Sequence, residues 1–201
     1  MSRRVLTIGR EYGSDGHDIA MQLADRLGIH CYDKELLEIA AKEKNLSYEE
    51  LTKVDEKRAN PWRYPVENEL QMAKQYRFEP LNDILFYTEV EVIKQLAEKE
   101  DCIIVGRCAN EILSDNDAVR RVFIHAPIDY RIRTVMDRAS IDEKEAALLI
   151  KKVDKQRKYY YNYFTDKRWE DMSQYDLTIN SGTMSKEAIL NVLTSLYESI
   201  L

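Results

Sequence analysis

A chain of 201 residues with 44% hydrophobic and 33% charged residues can bury a substantial core and is too apolar to be disordered. Its net charge of −6 excludes broad, sequence-independent nucleic-acid binding, which needs a basic surface, while leaving room for a small cationic cavity. No apolar run approaches the ~20 residues of a membrane-spanning helix.

Met1-Ser2-Arg3-Arg4 leads straight into a strand pattern with no apolar signal segment. Cys31, Cys102 and Cys108 are odd in number and scattered, without a C-x-x-C or metal-knuckle spacing. The expectation is a cytoplasmic protein with reduced thiols, no membrane partner and no nucleic-acid partner.

Val5 to Ile8 is a short run of β-formers and reads as a buried strand. Gly9, Gly13 and Gly16 punctuate the next stretch, which reads as a tight loop. Ile19, Ala20, Leu23, Ala24 and Leu27 then recur at helical spacing up to Gly28, a natural helix stop. Strand, glycine loop and helix form the arrangement that cradles phosphate, because backbone N–H groups and the helix N-terminus face an anion. The pattern G-x-x-x-x-G-K-[ST] would need Gly at 11, Lys at 17 and Ser or Thr at 18; the chain has Glu11, His17 and Asp18. Taken alone, the stretch is open to two readings, a nucleotide site or a structural turn.

His30 to Asp33 reads as a second strand ending on a carboxylate, and a helix from about Lys34 uses Leu36, Leu37, Ile39 and Ala40. Ser47-x-x-Glu50 has the form of a capping box. Asn60-Pro61-Trp62-Arg63-Tyr64-Pro65 breaks the helical pattern, residues 66–79 are amphipathic, and Pro80 suits a first helical position. Ile84, Leu85, Val92, Ile93 and Leu96 then give a helix running to about Lys99 its buried side.

Cys102 to Gly106 is the clearest buried strand, with Arg107 directly after it. Val122 to Ala126 is another, containing His125 and closed by Pro127. Residues 128–139 read as a helix carrying Arg131, Arg133 and Arg138. Ser140-x-x-Glu143 is expected to cap a long helix to about Phe164, carrying Asp154 and Arg157. In this helix Tyr159, Tyr160, Tyr161 and Tyr163 cannot all face one core, and packing or a subunit contact is favoured over a base platform. Leu177 to Asn180 is the last strand, and Ser185 caps a terminal helix with Ile189, Leu193, Leu196 and Ile200 on its face.

Five short buried strands separated by helices imply an α/β fold, a five-stranded parallel sheet with helices on both faces. Ligands in such sheets bind beyond the carboxyl ends of the strands. Arg10, Asp33 and Arg107 lie at or just past strand ends.

The stretches Ile8 to Gly16, Leu27 to Leu36, Ile104 to Ala109 and Tyr175 to Ser181 together resemble the cytidylate kinase-like family, a branch of the P-loop nucleoside monophosphate kinases. The resemblance runs from Leu6 to about Leu193. It implies a P-loop kinase-like single domain over 1–201, a helical nucleotide-monophosphate-binding insertion over about 34–100 and a helical lid over about 128–165. It further implies that Gly13, Ser14, Asp15, Gly16, His17 and Asp18 cradle the donor phosphates, and that Asp33 and Arg107 hold the acceptor. Arg131, Asp154 and Arg157 would serve the transferring group from the lid, Asp154 and Arg157 matching the family's D-x-x-R. His17 stands where the family has a lysine, and Cys108 and His125 stand where it has aspartates. Arg10, directly after the first strand, is expected to replace part of the missing lysine charge.

Phosphoryl transfer asks the protein for positioning and positive charge around the moving group. The resulting expectation is a nucleoside monophosphate kinase that moves the γ-phosphate of ATP, with Mg2+, to a CMP-like pyrimidine monophosphate; no metal-ligand set is legible. Two rivals stand beside it: a nucleotide-binding or sensing module with little turnover, suggested by Glu11, His17 and Asp18, and a kinase for another small acceptor. The tyrosine-rich helix permits a homodimer.

Overall fold

The computed structural model describes residues 3–44, 48–49 and 81–200. The expectations for Ser47-x-x-Glu50, Asn60 to Pro65, residues 66–79 and Pro80 lie outside the described residues. The elements are β1 (Val5–Arg10), α1 (Gly16–Leu27), β2 (His30–Tyr32), α2 (Glu35–Lys44), α3 (Leu81–Lys99), β3 (Cys102–Val105), α4 (Ala109–Ile112), β4 (Val119–His125), α5 (Ile128–Ala139), α6 (Glu143–Thr165), β5 (Leu177–Asn180) and α7 (Lys186–Glu198).

The five strands form one parallel sheet in the order β2-β3-β1-β4-β5. β1 is central, with Val5 opposite Cys102 of β3 and Val119 of β4. Alternation sends its side chains to two cores. Leu6 and Ile8 pack with Ile103, Val105 and Ile124 under α1 and α7, through Ile19, Leu23, Ile189 and Leu193. Val5 packs on the other face with Cys102, Ile104 and α3 residues Val92, Ile93 and Leu96. Both faces are therefore covered, which is why the central strands read as continuous apolar runs rather than alternating ones.

Of the smaller cores among the described residues, two adjoin the turn after β3 and the loop after β1. An aromatic cluster joins Phe86 of α3, Phe123 of β4, Tyr160 and Tyr161 of α6, Trp169 and Tyr175. Tyr159 and Tyr163 point outward, so the tyrosine run divides between core and surface as helical geometry requires. Val135, Ala146 and Ile150 pack α5 against α6, with Tyr12 from the glycine loop at their edge.

Three local expectations need correction. β4 begins at Val119 rather than Val122; Arg120 and Arg121 hide the strand in the sequence, yet their backbones pair with Leu6 and Thr7, and Arg121 meets Asp176 at 2.8 Å. The cap of α6 is Asp142, in a capping box with Glu145, and not Ser140, which takes a left-handed φ of 54° and closes α5. The single turn α4 follows β3 after three residues and is not legible in the sequence, being too short to show a period.

Candidate active site

The glycine loop joins β1 to α1 and is braced from below. Ser14 is 0% exposed; its hydroxyl donates to the carbonyls of Glu11 (2.9 Å) and Ile124 (3.1 Å). Its own carbonyl accepts from Ser181 at 2.7 Å. Gly13 has φ 81°, and a Cβ there would lie 2.9 Å from the Arg131 carbonyl oxygen. At Gly16 a Cβ would lie 2.6 Å from Cβ of Arg10. The two glycines thus serve a left-handed turn and the close passage of loop past β1. Asp15, with φ 62°, precedes α1 without capping it through its side chain; its carboxylate instead accepts from Arg138 at 2.6 Å and from the Tyr130 hydroxyl at 2.7 Å.

A second tight turn ends β3. Gly106, Arg107 and Cys108 all have positive φ, 77°, 51° and 57°. Each non-glycine residue in that region costs ~1–2 kcal/mol, so the turn is held by its surroundings. It carries Arg107 inward to 2% exposure, where Nε donates to Glu89 Oε1 at 2.8 Å and Nη1 to Asp33 Oδ1 at 3.1 Å. Asp33, just past β2, also meets His17 Nδ1 at 2.9 Å and Arg10 at 3.6 Å. One carboxylate thus gathers three nitrogen groups from three separate segments.

α5 and α6 close the opposite side. Asp154 accepts from the Tyr12 backbone N–H at 2.8 Å and from Arg131 at 2.5 Å. Arg131 Nε lies 3.5 Å from Glu11, and Glu11 accepts from the Ala126 N–H at 3.1 Å. Burial pushes the Glu11 carboxyl above its ordinary pKa, against the lowering pull of the Ala126 bond and Arg131. Arg157 donates to the Arg10 carbonyl at 3.2 Å and lies over the Tyr12 ring at 5.9 Å.

These parts enclose a cavity of about 380 Å³. Of the residues singled out in the sequence, Arg10, Asp33, Arg107 and Arg157 line it, together with Gly13, Asp15, Gly16 and His17. Ser14, Asp18, Arg131 and Asp154 are not among its lining residues. Ser14 lies under the loop. Asp18 turns to Lys186 and Gln22, and the Lys186 contact, chiefly, holds its carboxyl below the usual range. Arg131 and Asp154 clamp the loop at Tyr12. His125 is half-buried and outside the cavity, its carbonyl accepting from Ser181.

Among the described residues, no group of three or more His, Cys, Asp or Glu side chains is arranged to hold a metal. Magnesium at phosphoryl-transfer sites takes one or two carboxylates and draws its other oxygens from phosphate and water. Glu11, Asp15 and Asp33 line the cavity and offer that donor class.

Sequence reasoning leaves Arg138 as a surface or lid charge and misses Glu89. Arg138 lies seven residues after Arg131, so both point to the loop side of α5, and it lines the cavity. Glu89 interrupts the apolar stripe of α3 between Leu85 and Val92-Ile93, and a charge on a buried stripe is a legible sign of a hidden partner.

The model of the cytidylate kinase-like family matches residues 5–183. Cytidylate kinase of Methanopyrus kandleri is 25% identical over 98% of this chain and 94% of its own length. That of Pyrococcus horikoshii is 27% identical over 94% of this chain and 85% of its own. Among solved structures, an uncharacterized protein from Eubacterium ventriosum superposes with a TM-score of 0.74 at 31% identity, covering 98% of this chain and 99% of that one. Shikimate kinase from Bacteroides thetaiotaomicron shares the fold, with a TM-score of 0.56 at 14% identity over 97% and 98% of the two chains. Among the described residues no helix is long and apolar enough to cross a membrane.

Proposed function

The chain belongs to the cytidylate kinase-like family, and from that premise we propose that it transfers the γ-phosphate of ATP to a pyrimidine nucleoside monophosphate of the CMP type. The observation that carries this reading is the cavity itself. Arg10, Arg107, Arg138 and Arg157 line it from four separate segments, together with Gly13, Gly16 and His17 of the loop. Four guanidiniums around one opening suit a ligand with several phosphates, since each fork matches phosphate oxygens.

In this reading the loop N–H groups and the start of α1 hold the donor phosphates, and Arg10 supplies charge that a loop lysine would otherwise bring. Asp33 and Arg107 receive the acceptor, and Arg157 reaches the transferring group. Arg131 and Asp154 fix the loop through Tyr12. With magnesium bound alongside ATP, Glu11 and Asp15 of the loop would be the carboxylates to hold it, and it would neutralise charge on the donor phosphates. The segment 34–100 is read as the acceptor-side insertion and 128–165 as the lid. Catalysis then consists of positioning and charge stabilisation in a site whose dipoles are set in advance.

Within the site the cations are paired, Arg10 and Arg107 with Asp33 and Arg138 with Asp15. Substrate phosphates therefore exchange one anionic partner for another. This pairing, with His17 in the lysine's place, is also what favours the second reading, a nucleotide-binding module with little turnover.

The deciding assay mixes the full chain with ATP, magnesium and CMP and follows ADP and CDP. We expect CDP formation, reduced at least about a hundredfold in kcat/KM by Arg107→Ala, the scale of losing a charge-assisted contact to the acceptor. ATP binding by calorimetry without turnover would select the binding module. Turnover with another phosphorylated or hydroxyl acceptor in place of CMP would select a different substrate.

A further inference from the structure

α6 lies across the site with contacts that recur every three residues. Asp154 holds the Tyr12 N–H and Arg131. Arg157 holds the Arg10 carbonyl. Tyr160 donates its hydroxyl to Glu89 Oε2 at 2.9 Å. A step of three keeps these side chains on one side of the helix over two turns. The same face therefore touches the glycine loop, the end of β1 and, through Glu89, the end of β3.

Glu89 is the unusual member. It sits on α3 at 0% exposure, and a carboxylate wholly out of water is costly unless charge and hydrogen bonds compensate it. Arg107 Nε compensates it at 2.8 Å from one oxygen, and Tyr160 from the other. Burial, with the Glu89 charge next, keeps the Tyr160 hydroxyl protonated well above the ordinary range, so it remains a donor at any working pH. Arg107 is thereby gripped at two edges, Nε by Glu89 and Nη1 by Asp33. Two bonds from different directions fix the plane of a guanidinium, which a single ion pair does not. The strained Gly106-Arg107-Cys108 turn sets where the side chain starts, and Glu89 sets how it ends.

We propose that Glu89 is a positioning residue, which holds the Arg107 guanidinium in the orientation that receives the acceptor and, through Tyr160, ties that orientation to the seat of α6 over the loop. Its functional part rests on the reading of Arg107 as acceptor-binding. Its structural part, the grip on Arg107, stands apart from any substrate.

The test uses the full chain with Glu89→Gln, Glu89→Ala and Tyr160→Phe. Each is first checked by thermal melting. Hydrogen exchange of the Arg107 Nε–H, assigned by its loss in Arg107→Lys, is measured by NMR without ligand. Steady-state KM values for CMP and ATP are then measured separately.

Glu89→Ala is expected to speed Nε–H exchange at least about tenfold, the loss of one buried charge-assisted hydrogen bond. Tyr160→Phe, which leaves Glu89 in place, is expected to speed it less. Glu89→Gln and Tyr160→Phe are expected to raise the KM for CMP several-fold with the KM for ATP unchanged, a split that general loosening of the fold would not give. Unchanged exchange in both Glu89→Gln and Tyr160→Phe overturns the proposal, whether or not Glu89→Ala folds. Equal rises in both KM values, tracking the loss in melting temperature, also overturn it. If the wild type uses no CMP, the reading of a CMP-type acceptor fails instead, and exchange alone decides whether Glu89 sets Arg107.

Discussion

Glu11 shows how one side chain departs from the P-loop pattern and what that departure costs. It stands where the loop pattern has glycine, half-buried, bonded to the Ala126 N–H and near Arg131. Burial is the largest influence on its carboxyl and raises the pKa. The folded state therefore holds its proton more tightly than the unfolded chain does. That contribution to stability is complete below the unfolded value of 4.5 and is lost as pH rises through the folded value. Glu11→Gln keeps an oxygen for Ala126 and removes the titration. The variant should gain stability relative to wild type as pH rises above 4.5, and the gap should become flat once Glu11 is ionised. Urea unfolding of both proteins between about pH 4 and pH 8 measures it; a variant that loses stability relative to wild type as pH rises contradicts the assignment.

At the scale of the element, α6 shows a motif present in the sequence but attached to the wrong residue. Both Ser140-x-x-Glu143 and Asp142-x-x-Glu145 fit the capping pattern. Ser140 is already committed, because α5 ends on it with its N–H bonded to Met136 at 2.8 Å. Asp142 is extended (φ −76°, ψ 169°) and accepts from the Glu145 N–H at 2.8 Å. Asp142→Ala should cost about 1 kcal/mol and lower the melting temperature by about 2–4 °C for a domain of this size. Ser140→Ala should do neither. The Asp154, Arg157 and Tyr160 contacts lie three turns or more from the cap, so the loss should be seen in thermal melts and not in nucleotide binding.

For the whole molecule, one clasp at the amino edge of the sheet, opposite the cavity, ties the start of the chain to its last helix. Asp101 accepts from the Arg4 N–H (3.0 Å), Arg4 Nε (3.1 Å) and the Tyr197 hydroxyl (2.7 Å), while Arg4 lies 4.5 Å over the Tyr197 ring. Burial raises the Asp101 pKa, but the bonds from Tyr197 and Arg4 together outweigh it and the net shift is downward. A carboxyl depressed in the folded state stabilises above its unfolded value of 3.8, and that stability is lost as pH falls through the folded value. Asp101→Asn should therefore melt lower than wild type at neutral pH, by ~1–2 kcal/mol of unfolding free energy for weakened charge-assisted bonds. The difference should shrink as pH falls below about 4. Nucleotide turnover should not change, because the clasp and the cavity lie at opposite ends of the strands.

What the sequence determined by itself is what short-range pattern encodes. Apolar runs marked β1, β3 and β5, helical spacing marked α1 and α7, and glycines marked the loop, because each depends on a residue and its near neighbours. The strand ends then pointed to Arg10, Asp33 and Arg107, all of which line the cavity, since parallel strands open their crevice at one edge. Only the tertiary structure decided which charges meet. Asp18 looks like a loop residue until Lys186, far along the chain, draws its carboxylate outward. Arg138 looks like surface charge until Asp15 and the cavity appear beside it. Glu89 looks misplaced on its stripe until Arg107 and Tyr160 close on it. A charge in sequence can show that a partner is needed but not which residue it is, because ion pairs form between residues whose separation along the chain has no fixed period.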